Sequence, residues 1–173
     1  MANHSPLLVG CAAGFSGDRT DAAAPVVQAL VDSGRPAVLI FETLAERTLA
    51  LAQLARRGNP EAGYEPLLDD LLRPVLAQCL RHGVRIVSNF GAANPHGAAL
   101  RIQQLARELG ARRPRVAVVH GDDLSGPEHR ALLAQALGAD MPTQPIVSAN
   151  AYIGAQPIAD ALRAGADIVV CGR

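Results

Sequence analysis

Short apolar runs alternate with stretches of helical composition from one end of this chain to the other, and that alternation limits its fold more than any other feature. The runs are "LLVGC" (7–11), "AVLIF" (37–41), "VRIVSN" (84–89), "RVAVVH" (115–120) and "ADIVVC" (166–171), with a weaker one, "PIVSAN" (145–150). Helices are predicted over Thr20 to Ser33, Thr43 to Arg57, Pro95 to Leu109, Pro127 to Leu137 and Gln156 to Ala164. Another follows the break "GNPEAGYEP" (58–66) and continues to about His82. The apolar runs are continuous, where a half-solvated strand would alternate, and continuity is the mark of parallel strands covered on both faces. Strand–helix alternation then implies right-handed crossovers. The expected fold is α/β, a mostly parallel sheet with helices on both faces in a Rossmann-like layered arrangement. The closing "ALRAGADIVVCGR" also fits a unit of a β/α barrel, which stays open as the alternative. We expect one α/β domain over 1–173, the N-terminal part of a longer protein, because the chain stops directly after a strong buried strand.

Composition narrows the function classes. At 173 residues a single domain buries roughly 70% of its unfolded surface, so a real core is available. Hydrophobic residues make up 49%, yet no run approaches the ~18 apolar residues of a membrane helix. The first ten residues lack the basic start and apolar stretch of a signal peptide. Sixteen basic and sixteen acidic side chains cancel, and the one tight basic cluster, Arg112, Arg113 and Arg115, precedes a strand at the end of the sheet away from the polar loops. Neither nucleic acid nor membrane is an expected partner. Every basic residue is arginine; without lysine there is no Schiff base, pyridoxal-phosphate lysine or phosphate-loop lysine in this segment. Cys11, Cys79 and Cys171 form no C-x-x-C, so free thiols in a reducing cytoplasm are expected.

In layered α/β sheets ligands bind beyond the carboxyl ends of the strands. The segments there are "AAGFSGDR" (12–19), "ETLAER" (42–47), "NFGAANP" (89–95), "HGDD" (120–123), "NAYIG" (150–154) and "GR" (172–173). Phe15, Phe41, Phe90 and Tyr152, four of the five aromatics, fall at or beside the same rim. Apolar rings among convergent polar groups describe a small-molecule pocket, although each ring alone also fits core packing. Glu42, Asp122 and Asp123, with Asn89, are the candidate catalytic group. Paired carboxylates in a partly apolar cleft split their pKa values into acid and base; the same carboxylates would also suit a divalent cation. Gly14, Phe15, Gly17, Asp18, Arg19, Asn94, Asn150, Tyr152 and Arg173 are the candidate substrate-binding residues. His120 is a weak proton-carrier candidate, and His96 reads as solvated.

Some of these side chains have a plainer reading. Thr43-x-x-Glu46 and Ser125-x-x-Glu128 match capping boxes, and Asn94-Pro95 matches a helix start. The spacing of Gly10, Gly14 and Gly17 departs from G-x-G-x-x-G, which weakens a dinucleotide reading. An anion-binding loop assisted by Arg19 suits it better. There is no G-x-S-x-G, and Cys11 and Cys171 lack an identified base, so nucleophilic catalysis is disfavoured. No metal site is assigned, and the cofactor stays undetermined.

The blocks "GCAAGFSGDR", "FETLAERTLALAQL", "GYEPLL", "VRIVSNFGAANPHGAA", "VAVVHGDD" and "SANAYIGAQPIADALRAGADIVVCGR", in this order and spacing, resemble the acyclic terpene utilisation (AtuA) family from about Val9 to Arg173. The resemblance implies a bacterial cytoplasmic protein in citronellol and geraniol breakdown, acting on a branched isoprenoid acid or its acyl-CoA thioester, with hydratase or lyase chemistry the first expectation. The alternative is a non-catalytic ligand-binding or scaffold subunit of an acyl-CoA carboxylase pathway; a nucleotide-binding enzyme ranks third. The expected partner is a small-molecule substrate, with a homo-oligomer left open. Gly14, Gly17, Asp18, Arg19, Glu42, Glu46, Arg47, Asn89, Asn94, Asp122, Asp123, Asn150 and Arg173 carry over as motif members. Phe90 stands where a smaller or different apolar residue is expected.

Overall fold

The computed structural model describes residues 6–173. Five strands, β1 (Leu8–Ala13), β2 (Ala37–Phe41), β3 (Arg85–Ser88), β4 (Val116–Val119) and β5 (Ile168–Cys171), form one sheet in the order β1-β2-β3-β5-β4. Every pairing is parallel. The path runs in one direction from β1 to β4, passing over the place of β5, and then steps back. Right-handed crossovers therefore put the helices before β4 on one face and the helix after it on the other.

On the first face lie α1 (Ala23–Asp32), α3 (Leu68–Leu72), α4 (Leu76–His82) and α5 (Pro95–Glu108). Their buried Val27, Leu72, Leu76, Ile102 and Leu105 pack against Leu39, Ile86, Ile168 and Val170 of the sheet. α7 (Gln156–Arg163) lies on the second face, where Ile158, Ala161 and Leu162 meet Val119, Val169 and Cys171. α6 (Arg130–Leu137) stands on an arm between β4 and α7. The expected α/β fold with a parallel sheet is present, and the cover is uneven. Val9 and Cys11 of β1 are exposed on the second face, and Val38 and Ile40 of β2 are half-buried there. α2 (Glu46–Gly58) is tied to loops and not to the sheet: Gln53 reaches Asp123 and Ser125, Arg56 reaches the Ala93 carbonyl, and Arg57 reaches the Ile146 and Val147 carbonyls.

Local chemistry explains where three expectations shift. The helix expected from 66 to His82 is two helices, because Pro74 has no N–H to continue the first. The 145–150 run is not a strand; among its residues only Asn150 forms a bridge, antiparallel to Asp123. Neither predicted capping box forms. α2 begins at Glu46, with Thr48 Oγ1 accepting from the Ala45 N–H at 2.8 Å, and Ser125 hydrogen-bonds Asp123 instead of capping. The Asn94 cap is present: its Oδ1 accepts from the Gly97 N–H at 3.0 Å, ahead of Pro95 in the first turn of α5.

α3 and α5 are joined by a four-charge cluster. Arg101 donates to Asp69 and Glu108, and Arg73 donates to the same two carboxylates. Hydrogen bonds first from Arg101 and then from Arg73 outweigh desolvation and hold Glu108 down at about 2, with Asp69 also below its ordinary value. A depressed carboxyl stabilises the fold above its unfolded pKa and loses that contribution as pH falls through the folded value. The urea midpoint should therefore fall between about pH 4.5 and 2, and Arg101→Gln should flatten that decline. An unchanged slope in the variant would show that the cluster does not govern it.

Ser88 makes a smaller, separate case. Its Oγ is buried and, among the described residues, unpartnered. Ser88→Ala should leave the urea midpoint unchanged or raise it, because a buried hydroxyl without a partner carries a desolvation penalty. A loss above about 1 kcal/mol would reveal a partner for that hydroxyl.

Candidate functional site

Parallel pairing sets the carboxyl ends of all five strands on one rim, and the side chains there interlock. Glu42 follows β2 and Asn89 follows β3. The Asn89 Nδ2 donates to Glu42 Oε1 at 2.8 Å, and the Leu44 N–H donates to the same oxygen at 3.0 Å. Asn89 Oδ1 accepts from the Thr43 N–H at 2.8 Å and from Thr43 Oγ1 at 3.3 Å. These bonds fix the orientation of the amide and aim one Glu42 oxygen at the backbone. Among the described residues the other oxygen, Oε2, takes no hydrogen bond.

Beyond β5 the chain continues through Gly172 to Arg173. The Arg173 N–H donates to Asp122 Oδ2 at 2.7 Å, and Asn150 Nδ2 donates to the same oxygen at 2.9 Å. Asp122 is buried. Its close approach needs Gly172, because a Cβ there would lie 2.5 Å from Asp122 Oδ2. The Arg173 guanidinium is held by Glu46, the Tyr152 hydroxyl and the Leu44 carbonyl, and it lies 4.6 Å over the Tyr152 ring. Asn150 Oδ1 is buried and has no partner among the described residues.

Two cavities meet at this rim. A polar one of about 390 Å³ is lined by Glu42, Leu44, Asn89, Tyr152, Cys171, Gly172 and Arg173. An apolar groove of about 410 Å³ runs between α2 and the 62–66 segment, with Leu51, Ala52, Ala55, Tyr64 and Pro66 among its walls. Leu44 lines both, so the apolar groove and the polar well are neighbours across its side chain.

The structure thus brings together Glu42, Asn89, Asp122, Asn150, Tyr152 and Arg173. Other predicted site residues have different neighbours. Asp123 turns toward α2, accepting from Ser125 and from Gln53. Burial raises its pKa, but the Ser125 and Gln53 hydrogen bonds and the nearby Arg56 charge outweigh burial and hold it below its ordinary value. Asn94 caps α5 and also donates to the Pro60 and Ala62 carbonyls at 3.0 and 2.8 Å. The Gly14–Arg19 loop closes on itself: Asp18 accepts from the Gly14 and Arg19 N–H groups at 2.9 and 2.7 Å, and Arg19 pairs with Asp21 at 2.6 Å. Gly17 lies in that loop at φ +87°, and Ser16 alone of the loop lines the groove.

The aromatics divide. Phe41 and Phe90 are buried against each other with ring centroids 5.0 Å apart, whereas Phe15 and Tyr152 are 58% and 76% exposed. Cys171 is buried at the rim and donates to the Ser88 carbonyl at 3.3 Å; burial, with the Asp122 charge, pushes its thiol up to about 11. A thiol held there stays protonated at neutral pH. Thr43 is the site residue that motif reasoning missed, since its T-x-x-E context matched a helix cap.

The chain is thus a layered α/β protein with a polar well and an apolar groove at its strand ends. The chain belongs to the acyclic terpene utilisation family: the family model for acyclic terpene utilisation family protein AtuA matches residues 7–173. No curated protein and no solved structure matches it. The family implies involvement in acyclic terpene utilisation. Among the described residues no helix is long and apolar enough to cross a membrane.

Proposed function

We propose that this rim binds a branched isoprenoid acid or its acyl-CoA thioester and adds or removes water across an activated double bond, as a step in the breakdown of citronellol or geraniol in the cytoplasm. The observation that carries the reading is the shared lining: Leu44 borders both an apolar groove and a polar well that holds a carboxylate, an amide and a guanidinium. The branched chain lies in the groove along Leu51, Ala52 and Ala55. The carbonyl end enters the well, where the second N–H of Asn89 polarises it.

Arg173 holds the anionic part of the substrate. Its present partner Glu46 is exposed on its outer side, so a substrate carboxylate or phosphate exchanges with it at little desolvation cost. Glu42 moves the proton. In the hydration direction Oε2 takes a proton from water as the water oxygen bonds to the β-carbon, and the same carboxyl returns that proton to the α-carbon. Asp122 acts as a positioning residue, because its Oδ2 fixes both the Arg173 backbone and Asn150. Asp123, held ionised, keeps α2 over the rim through Gln53 and Arg56. The Gly14–Arg19 loop borders the groove through Ser16, and Phe15 at its tip is free to meet a bulky substrate.

Glu42→Gln in the full-length protein should lower turnover of an unsaturated isoprenoid acyl-CoA by about 10²–10⁴-fold, with the dissociation constant within a few-fold of the parent. Equal, small losses in both would remove Glu42 from the chemistry. Ligand binding without turnover of any acyl-CoA tested would make the rim a ligand-holding subunit instead.

A further inference from the structure

The apolar groove contains one buried carboxyl group that the rim chemistry does not use. Glu65 is 3% exposed and lines the groove across from Leu51, Ala52 and Ala55. Glutamate is almost never buried to this degree unless it is paired, yet no ion pair reaches Glu65 among the described residues. Arg56, whose stem closes against Gly63, is turned to the Ala93 carbonyl and to Asp123. The Leu67 N–H donates to Glu65 Oε1 at 3.0 Å, and Oε2 takes no hydrogen bond among the described residues. The side-chain oxygens sealed away without a partner are Ser88 Oγ and Asn150 Oδ1. Glu65 Oε2 is not one of these, so it keeps access to open space, and the space that Glu65 lines is the groove. The threonines of the groove are already engaged: Thr43 Oγ1 donates to Asn89, and Thr48 Oγ1 bonds both the N–H and the carbonyl of Ala45. Glu65 itself is fixed, its N–H donating to the Phe90 carbonyl at 2.8 Å and its carbonyl accepting from the Leu68 N–H at 3.2 Å.

We propose that Glu65 Oε2 accepts a hydrogen bond from a hydroxyl group on the branched chain, so that the groove selects a hydroxylated isoprenoid over one that is hydrocarbon throughout. A bare hydrocarbon laid against Glu65 removes water from a carboxyl oxygen and offers no donor in return, which is unfavourable. A hydroxyl supplies one donor and leaves the rest of the chain to the apolar walls. An ammonium group carries three donors, and the walls along Leu51, Ala52, Ala55 and Pro66 have no side-chain acceptor for the remaining two. This hydroxyl is separate from the one that water addition creates, which forms beside Glu42 in the well. Glu65 is thereby a specificity residue that takes no part in proton movement. The inference rests on the proposed function for the chain's place in the groove and uses none of its chemistry.

The test is calorimetry on the full-length protein with citronellol and with its methyl ether, which keeps the chain and the oxygen but lacks the O–H. The parent should bind the alcohol about tenfold to a hundredfold more tightly than the ether. Glu65→Gln keeps the side-chain shape and, through its carbonyl oxygen, the bond to the Leu67 N–H, but sets an amide donor where Oε2 stood. That donor serves both ligand oxygens, so alcohol and ether should then bind within about threefold of each other. Glu65→Leu should favour the ether. A Glu65 that only supports the fold would shift both affinities together and leave their ratio unchanged. Circular dichroism checks each variant, and where Glu65→Leu does not fold the Glu65→Gln ratio decides alone. No binding of the alcohol, equal binding of alcohol and ether by the parent, a preference that survives substitution, or tighter binding of the corresponding amine would each overturn the proposal. The two readings fail separately: an alcohol preference without acyl-CoA turnover removes the rim chemistry and keeps the role of Glu65, and turnover without that preference does the reverse.

Discussion

Phe90→Ala should lower the free energy of unfolding by about 3–5 kcal/mol, seen as a large fall in the urea midpoint at unchanged slope. Phe90 is fully buried and its ring lies 5.0 Å from that of Phe41, tilted by 36°, an aromatic contact that adds to simple burial. The residue also joins two parts of the structure through its backbone, since its carbonyl accepts from the Glu65 N–H at 2.8 Å. Truncation leaves a cavity beneath the rim, between the ends of β2 and β3 that carry Glu42 and Asn89. For a domain whose total stability is of order 5–15 kcal/mol, that is a large share. Phe15→Ala is the matched control: its ring is mostly exposed, and the change should stay within about 0.5 kcal/mol. A Phe90→Ala cost as small as that of Phe15→Ala would show that the core beneath the rim is not closely packed.

The contrast between these two phenylalanines is not written in their sequence positions. Sequence position put Phe15, Phe41, Phe90 and Tyr152 together at the strand ends, and all four do lie there. Whether a ring points into the core or out of it depends on the strand's phase and on what covers it, which one sequence does not state. Phe41 ends β2 in phase with the buried Ala37 and Leu39, so it faces the core. The strands themselves were legible because continuous apolar runs have few other uses; the 37–41 run and β2 coincide. The 145–150 run misled for the converse reason. Ile146 and Val147 offer their carbonyls to Arg57, and the segment serves as the return of an arm instead of pairing with the sheet.

Helix cover was only half legible. Val9, Val38 and Ile40 belong to runs that look buried on both sides, but the strand order that leaves β1 and β2 without a second layer among the described residues follows from where β4 and β5 insert. The rule that ligands gather at strand ends picked out Glu42, Asn89, Asp122, Asn150 and Arg173 from five separate segments, and the structure places these side chains close together. The rule also picked out Asn94 and Asp123, whose side chains are directed elsewhere, to the start of α5 with the Pro60 and Ala62 carbonyls and to Gln53 with Ser125. Polar residues at loop starts serve caps and turns as readily as ligands, and only the hydrogen-bond partners tell the two uses apart.

Asp122→Ala is the second large effect, expected at about 2–5 kcal/mol of stability together with loss of the ligand binding proposed for the rim. The carboxylate is buried, and its Oδ2 alone accepts two donors, the Arg173 N–H and the Asn150 amide. Removing it strands both donors in a place with little water, which costs about 1–3 kcal/mol for each unsatisfied group, and leaves a void against Gly172. Arg173 then loses the backbone anchor that aims its guanidinium at the well, so the binding defect should exceed what the stability loss alone predicts. Asp122→Asn separates shape from charge. Its amide oxygen can occupy the Oδ2 position and keep both hydrogen bonds, but as a neutral acceptor it makes them about half as strong. The asparagine variant should therefore recover roughly half of the lost stability and most of the ligand affinity, measured by urea titration and by calorimetry on the same preparations. If alanine and asparagine behave alike, the negative charge and not the two shared hydrogen bonds is what Asp122 contributes. If both match the parent, Asp122 does not organise the rim, and the convergence of Arg173 and Asn150 must come from the β5 backbone alone.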